Sequence, residues 1–248
     1  MKLEKAVFGP TSKTEILLLS ENEKPHFIKY YNTREERFHL LPPGIKRDRL
    51  RPPDAAEKRE KIRSELNIEP GLKVVIMVGS GFKTKGVDRS IRAISSLPDD
   101  LLEKTILLVV GQDEPGPFRR LARRQGIKTK VRFLGGRKDV PNLFLASNLL
   151  IHPAYSENTG TVIIEAMAAG VPVLATDVCG YSRYVEEAKA GRLISSPFRQ
   201  ADLDKELASM LSSISNEKWG ENGINFIMKN DVFSLHEKAA DIIEEVAR

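Results

Sequence analysis

The segment SENTGTVIIEAMAAG, Ser156 to Gly170, sets two glutamates, Glu157 and Glu165, eight positions apart around a glycine. With a helix starting near Gly160, residues Glu157, Asn158 and Thr159 form the loop that leads into it. The first N–H groups of a helix have no internal partners and carry partial positive charge. Those of Thr159, Gly160 and Thr161 are therefore suited to a phosphate. Gly160 has no side chain to hold such a group away from the backbone. Glu165 falls one to two turns into the helix on the same side, where a carboxylate accepts from two neighbouring hydroxyls such as those of a ribose. Glu157 at the mouth suits the hydroxyls of a hexose in the same way. Spacing alone leaves a plainer alternative open, with Glu157 a helix-entry residue favoured by the dipole and Glu165 a surface glutamate.

A second stretch, VGSGFKTKGVDRSIRAI, carries Gly79 at its turn and two lysines, Lys83 and Lys85, before a helical pattern. The lysines bracket a point suited to a diphosphate, and an ammonium supplies the charge that a departing diphosphate needs. The stretch has neither the Gly-Lys-Ser/Thr of a Walker loop nor the GxGxxG of a dinucleotide fold, which disfavours ATP and NAD. A solvated loop with incidental lysines is the alternative. His152 and His39 read as strand-end or packing histidines, because neither has a carboxylate partner evident in the sequence. Tyr155, Tyr181 and Tyr184 either line a sugar pocket or cover the sheet edge, and Trp219 reads as a core or interdomain anchor.

The elements that must position these residues follow from periodicity. From Val74 onward, KVVIMVG, TILLVVG, VRFLG, NLLIHP and VPVLATD read as strands, each followed by a helical pattern. That alternation predicts an α/β fold with a doubly wound parallel sheet, and the nearly continuous apolar strands predict helices on both faces. Gly79, Gly111, Gly135 and His152 then stand at the carboxyl edge, where open parallel sheets collect ligands. Ahead of Val74 the pattern gives one strand, TEILLLS, a short helix over Lys24 to Tyr31, and a charged, proline-containing connector to about Pro53. After Ser196, three segments read as helices: ADLDKELASMLSSI, NEKWGENGINFIMK and SLHEKAADIIEEVA.

Composition narrows the function classes. The chain has 248 residues, 41% of them hydrophobic, enough for one large core or two modest ones. No apolar run approaches the roughly 18 to 20 residues that span a membrane, and the start MKLEKAVFGP lacks the apolar core of a signal peptide, so a cytoplasmic location is expected. The single cysteine, Cys179, forms no disulfide within the chain and holds no structural zinc alone. The net charge is +5, but the basic residues read as dispersed among 34 acidic ones, and no nucleic-acid partner is expected.

Glu157 to Glu165 resembles the E-x7-E signature of retaining glycosyltransferases of the group 1 family, whose GT-B architecture sets two Rossmann-like domains face to face. LLPPGI, KGVDRSI, LLVVGQD, LGGRKDV, LLIHPAYSENTG and VCGYSRYV extend the resemblance, in order and over nearly the whole chain, to the bacterial lipopolysaccharide core glucosyltransferases of that family. The resemblance implies that Glu165 binds the ribose of a UDP-hexose, Glu157 the sugar hydroxyls, and Lys85 the diphosphate, with Thr159 to Thr161 assisting. Arg137 would lie near the base, and Asp113 near the same pocket or as a loop cap. It implies no cofactor and no metal requirement. The acceptor implied is a lipid-linked core oligosaccharide, with peripheral membrane association of the complete enzyme. Two departures stand out: Ser80 where many relatives carry an arginine, and Thr84 where close relatives carry a base, with Lys83 as a substitute point charge. The division implied is a remnant of the N-terminal acceptor domain and connector over 1–45, a Rossmann-like nucleotide-sugar domain over 46–230, and a C-terminal helix over 231–248 that packs toward the acceptor domain. The chain is thus expected to be the donor half, inactive alone. A non-catalytic sugar-nucleotide-binding module or split-enzyme subunit is the alternative, and a GT-B UDP-sugar epimerase a weaker one.

Overall fold

The structure, a computed structural model, describes residues 2–212 and 216–247. The chain divides into two compact units, Met1–Lys46 with Asp231–Arg248, and Arg47–Asn230. The first unit holds α1 (Lys2–Phe8), β1 (Ile16–Leu18), α2 (Lys24–Tyr31) and β2 (Phe38–Leu40), with β1 and β2 paired in parallel. TEILLLS thus contributes three strand residues, and its partner β2 escaped the pattern because FHL is too short to show an alternation. Arg37 is buried, and its guanidinium donates to the main-chain carbonyls of Val7, Gly9 and Thr14 at 2.6 to 2.8 Å. It thereby satisfies acceptors that the end of α1 leaves open.

The second unit runs α3 (Ala55–Glu65), β3 (Lys73–Val78), α4 (Val87–Ser95), α5 (Asp99–Glu103), β4 (Thr105–Val110), α6 (Gly116–Arg124), β5 (Val131–Gly135) and α7 (Val140–Ala146). It continues with β6 (Leu149–His152), α8 (Thr161–Ala168), β7 (Val173–Thr176), α9 (Ser182–Glu187), β8 (Gly191–Ile194), α10 (Gln200–Ser212) and α11 (Asn216–Lys229). Six parallel strands lie in the order β5-β4-β3-β6-β7-β8. The doubly wound parallel sheet expected from the sequence is therefore present. Alternate residues of β3 serve opposite faces: Val75 and Met77 join Ile91 and Ile94 of α4 and Leu203 and Leu207 of α10 in one core, to which the half-buried Trp219 adds. Val74 and Ile76, fully buried, serve the other.

Two elements of this unit were invisible to periodicity. Strand β8 carries Gly191, where a Cβ would stand 1.8 Å from the carbonyl oxygen of Val173, so the pairing with β7 demands the residue that propensity rules count against a strand. Helix α3, AAEKREKIRSE, has only Ile62 as a large apolar residue. It is held instead by arginines. Arg59 donates to the carbonyls of Leu145 and Ser147, and Arg63, 6% exposed, to those of Ala146 and Leu72 at 3.0 and 2.7 Å. These bonds cap the carboxyl end of α7 with positive charge, the favourable sign for that end of a helix dipole.

The expectation of dispersed charge fails in one place. Nine of the 39 basic residues lie between Pro115 and Lys138 with no acidic residue among them. Several have local duties: Arg123 and Arg124 occupy the last turn of α6, Arg119 lies over the Phe133 ring, and Lys130 and Arg132 donate to main-chain carbonyls. Among the described residues no helix is long and apolar enough to cross a membrane.

The chain ends in α12 (Leu235–Val246), which belongs to the first unit. There the N–H of Ile45 donates to Val232, and Gly44 packs so closely on Leu235 that a Cβ would stand 2.7 Å from its Cβ.

Replacing Arg63 with methionine preserves much of its bulk but leaves three carbonyls, the buried one of Ala146 and the part-buried ones of Leu72 and Glu69, without their donor. The expected loss is about 3 kcal/mol, read as a lower urea midpoint with unchanged slope. Arg63→Lys should recover less than half of it, since one ammonium does not reproduce the fork.

Candidate functional site

The chain runs from β3 outward to β4 and β5, then returns to lay β6 against the other side of β3, pairing Val75 with Leu149 and Ile76 with Leu150. Open parallel sheets bind their ligands at such a switch point, at the carboxyl edge. The loops that leave β3 and β6 there are residues 79–86 and 153–160, the two stretches whose chemistry stood out in the sequence.

The two loops touch through their backbones. Gly86 has φ +77°, and a Cβ there would lie 2.2 Å from the carbonyl oxygen of Pro153. Only glycine meets both conditions. The N–H of Tyr155 donates to the carbonyl of Thr84 at 2.8 Å. Further back, Arg89 donates to the carbonyls of Pro153 and Ala154, its guanidinium between the rings of Tyr155 and Phe198 at 3.5 and 3.6 Å. The first loop is anchored by buried Phe82, packed on Phe118 and Phe133, and by the carboxylate of Asp113, which accepts from the Phe82 N–H. Asp113 therefore acts as a loop clamp. The second loop is held from β7, with Thr176 Oγ1 donating to Ala154, and through Tyr181, whose N–H donates to Thr159 at 2.7 Å.

This close approach brings Lys85 onto Glu157. The two form an ion pair through Lys85 Nζ and Glu157 Oε2, and His152 Nε2 lies 3.4 Å from the same oxygen. The side chains are 21% and 12% exposed, and His152 is fully buried. Burial works to raise the Glu157 pKa, but the hydrogen bonds from His152 and Lys85 and the lysine charge outweigh it and hold the carboxyl at about 2. Glu165 behaves oppositely. Burial raises its pKa, Arg49 opposes with Nε 3.3 Å from Oε1, and Asp48 adds to the rise. The two glutamates of the motif thus occupy separate electrostatic environments.

Gly160 enters α8 with φ +83° and is buried, while Asn158 and Thr161 are exposed and Thr159 half-buried. Gly79 adjoins the stem of Lys85, since a Cβ there would meet Lys85 Cγ at 3.7 Å. Lys83 is exposed and makes no ion pair among the described residues. Arg137 stands beyond β5, the edge strand, with β4 and β3 between it and β6, and its fork meets both oxygens of Asp139 at 2.8 and 2.7 Å. The structure does not bring it to Lys85 and Glu157.

Sequence reasoning missed Arg49, which lay in what read as a connector and had no periodic signal. It also missed that both histidines have carboxylate partners: His152 has Glu157, and His39 Nε2 stands 2.7 Å from Glu15 Oε2. Of the tyrosines, Tyr181 is buried against Tyr184, and burial pushes its phenol up to about 12. Tyr155 stacks on Arg89 and donates to Asp88. Burial likewise holds the Cys179 thiol at about 12, unreactive. Among the described residues no three His, Cys, Asp or Glu side chains gather as metal ligands.

The opposed shifts define a pH signature. Glu157, depressed from 4.5 to about 2, contributes stability that is full above pH 4.5 and lost as pH falls toward 2. The expected size is of order 3 kcal/mol. Glu165, shifted upward, contributes in the other direction: its share is present below its unfolded pKa and lost as pH rises through its folded one. Urea unfolding followed across pH 2–7 should show a flattened acid limb in Glu157→Gln and higher neutral-pH stability in Glu165→Gln. An unchanged acid limb in the first variant would contradict the assignment.

The model of the glycosyl transferases group 1 matches residues 58–226. The lipopolysaccharide glucosyltransferase WaaG of Escherichia coli K12 is 43% identical over 97% of this chain and 64% of its own length. A crystal structure of WaaG, a glycosyltransferase involved in lipopolysaccharide biosynthesis, superposes with a TM-score of 0.91 at 42% identity, over 98% of this chain and 66% of that one. The Anabaena protein HepE, solved with UDP and glucose, shares the fold with a TM-score of 0.81 at 22% identity, over 94% of this chain and 63% of its own. The chain therefore spans just under two thirds of the length of these relatives. The parallel α/β unit, with its paired switch-point loops, belongs to the glycosyl transferases group 1.

Proposed function

We propose that the second unit is the donor-binding half of a retaining hexosyltransferase, that its donor is a UDP-hexose, UDP-glucose foremost, and that the acceptor is a heptose of a lipid-linked lipopolysaccharide core. The observation that carries the reading is the Lys85–Glu157 pair in the switch-point crevice. Its lysine is half of a diphosphate clamp, and its carboxylate is ionised throughout the physiological range. Relatives named for the same chemistry support it: a lipopolysaccharide glucosyltransferase at 43% identity, and a fold that in HepE holds UDP and glucose.

In this reading the diphosphate settles between Lys85 and the N-terminus of α8, where Thr159, Gly160 and Thr161 offer N–H groups, Lys83 adding charge from the rim. Glu165 takes the ribose hydroxyls, and Glu157 with Asn158 the hexose. As the sugar–phosphate bond lengthens toward an oxocarbenium-like state, negative charge grows on the leaving diphosphate. Lys85 and the helix N-terminus face that charge, which is where fixed positive charge lowers the barrier. The acceptor hydroxyl attacks from the same face and passes its proton to a phosphate oxygen. Glu157 and Glu165 remain binding groups throughout, unlike the acid and nucleophile of a glycosidase. The lysine and helix dipole supply the charge that a divalent ion supplies elsewhere, so no metal is assigned a role. Arg137, partly exposed beside Asp139, keeps the place near the nucleotide base that the resemblance implies. Association of the complete enzyme with the inner membrane face belongs to the same proposal.

Calorimetric titration of the chain in chelator-treated buffer tests this. UDP and UDP-glucose should bind saturably, and GDP-mannose and NAD should not. Lys85→Ala should weaken both uridine ligands ~10- to 100-fold, the value of a charge-assisted bond, and Glu165→Ala should weaken both as well. A folded sample that binds none of the four would overturn the donor-site reading. Transfer to a core acceptor once the complementary half is supplied separates a transferase from a binding module without activity.

A further inference from the structure

His152 ends β6, a strand whose other residues, Leu149, Leu150 and Ile151, are apolar and at most 1% exposed. It is as buried as they are, yet it carries two ring nitrogens into the interior. Nε2 meets Glu157 Oε2, and Nδ1 is buried with no hydrogen-bond partner. An orphaned buried nitrogen destabilises the fold, and an aliphatic side chain would fill the place without that cost. Packing therefore does not account for a histidine here. Its contact with Glu157 does.

Glu157 shows a division of labour between its oxygens. Oε2 receives both Lys85 and His152, whereas Oε1 makes no hydrogen bond among the described residues and is not buried. One oxygen is held and the other is open. A diphosphate draws the Lys85 ammonium, which has three donors to share, toward its own oxygens and so weakens the lysine's hold on Oε2. Once the lysine leaves, His152 is the remaining group on that oxygen.

We propose that His152 is a positioning residue for donor-sugar recognition: it grips Glu157 Oε2 from the buried side, so that Oε1 stays presented to the sugar hydroxyls after Lys85 has moved to the diphosphate. This rests on the donor-site reading above. Because an ionised carboxylate only accepts, Nε2 carries the hydrogen of this bond. The role predicts an effect on the sugar and none on the nucleotide. A residue that merely closes the Pro153 to Ser156 loop would disturb both.

The test compares UDP with UDP-glucose by titration calorimetry on the unmodified chain, His152→Leu and His152→Gln. The glutamine amide nitrogen reaches about as far as Nε2. His152→Leu should weaken UDP-glucose ~10-fold or more, the scale of a lost charge-assisted bond, with UDP unchanged within ~2-fold, and His152→Gln should recover most of the difference. Equal losses for both ligands, or no loss in the leucine variant, would overturn the role of His152 while leaving the donor site standing. Failure of the unmodified chain to bind UDP-glucose would overturn the donor-site reading and this inference together. Nitrogen-15 NMR of the free chain gives a check that does not depend on any variant folding: hydrogen on Nε2 supports the proposal, and hydrogen on Nδ1 alone refutes it.

Discussion

Strand β6 lies against β3, and nearly everything about the site depends on that pairing. The two strands are far apart in the chain, and their parallel register sends both succeeding loops off the same edge of the sheet. The loops then approach until Gly86 leaves no room for a side chain beside the Pro153 carbonyl. Backbone contact at that distance joins the two loops at the carboxyl edge of the sheet. Arg89 and Asp113 secure it from behind, the first by two carbonyls and two aromatic faces, the second by a main-chain N–H. Lys85 and Glu157 meet because the backbones have already been brought together; the ion pair reports the geometry more than it causes it.

Within the crevice, similar side chains acquire different chemistry from their neighbours. Glu157 and Glu165 belong to one motif, and burial pushes both toward the neutral form. Only Glu157 has enough donors on its carboxylate to reverse that push. Under the proposed function, a sugar-facing carboxylate held charged in part by a lysine that a ligand can draw away is poised for exchange, since the incoming diphosphate offers Lys85 a partner of higher charge. Glu165, beside Arg49 and Asp48, sits in a mixed field in which gaining hydroxyl donors would be a clear improvement.

The arginines illustrate why net charge is a poor guide to partners here. Arg37, Arg59, Arg63 and Arg89 direct their N–H groups at main-chain carbonyls, at helix ends and in the loops of the site. A guanidinium with five donors can satisfy two or three such carbonyls at once, which an ammonium cannot do in fixed geometry. The charge of these four arginines serves the structure.

The sequence by itself determined the class of fold and the loops that matter. Apolar runs of four to six residues alternating with helical patterns leave a doubly wound parallel sheet as the arrangement that buries them. Gly79, Lys85, Glu157 and Gly160 stood out because residue type and placement after a strand are local properties. What remained illegible was whatever depends on a distant partner. Strand β8 needed Gly191 because of the Val173 carbonyl, and α3 needed the end of α7 to receive its arginines. Arg49 became part of the site only through Glu165, and His152 only through a loop that turns back over it. The pairing of Lys85 with Glu157, 72 residues apart, and the opposite titration of two glutamates in one motif were decided by tertiary structure alone. Burial and the number of nearby donors set a carboxylate's charge, and neither is written in the residues beside it.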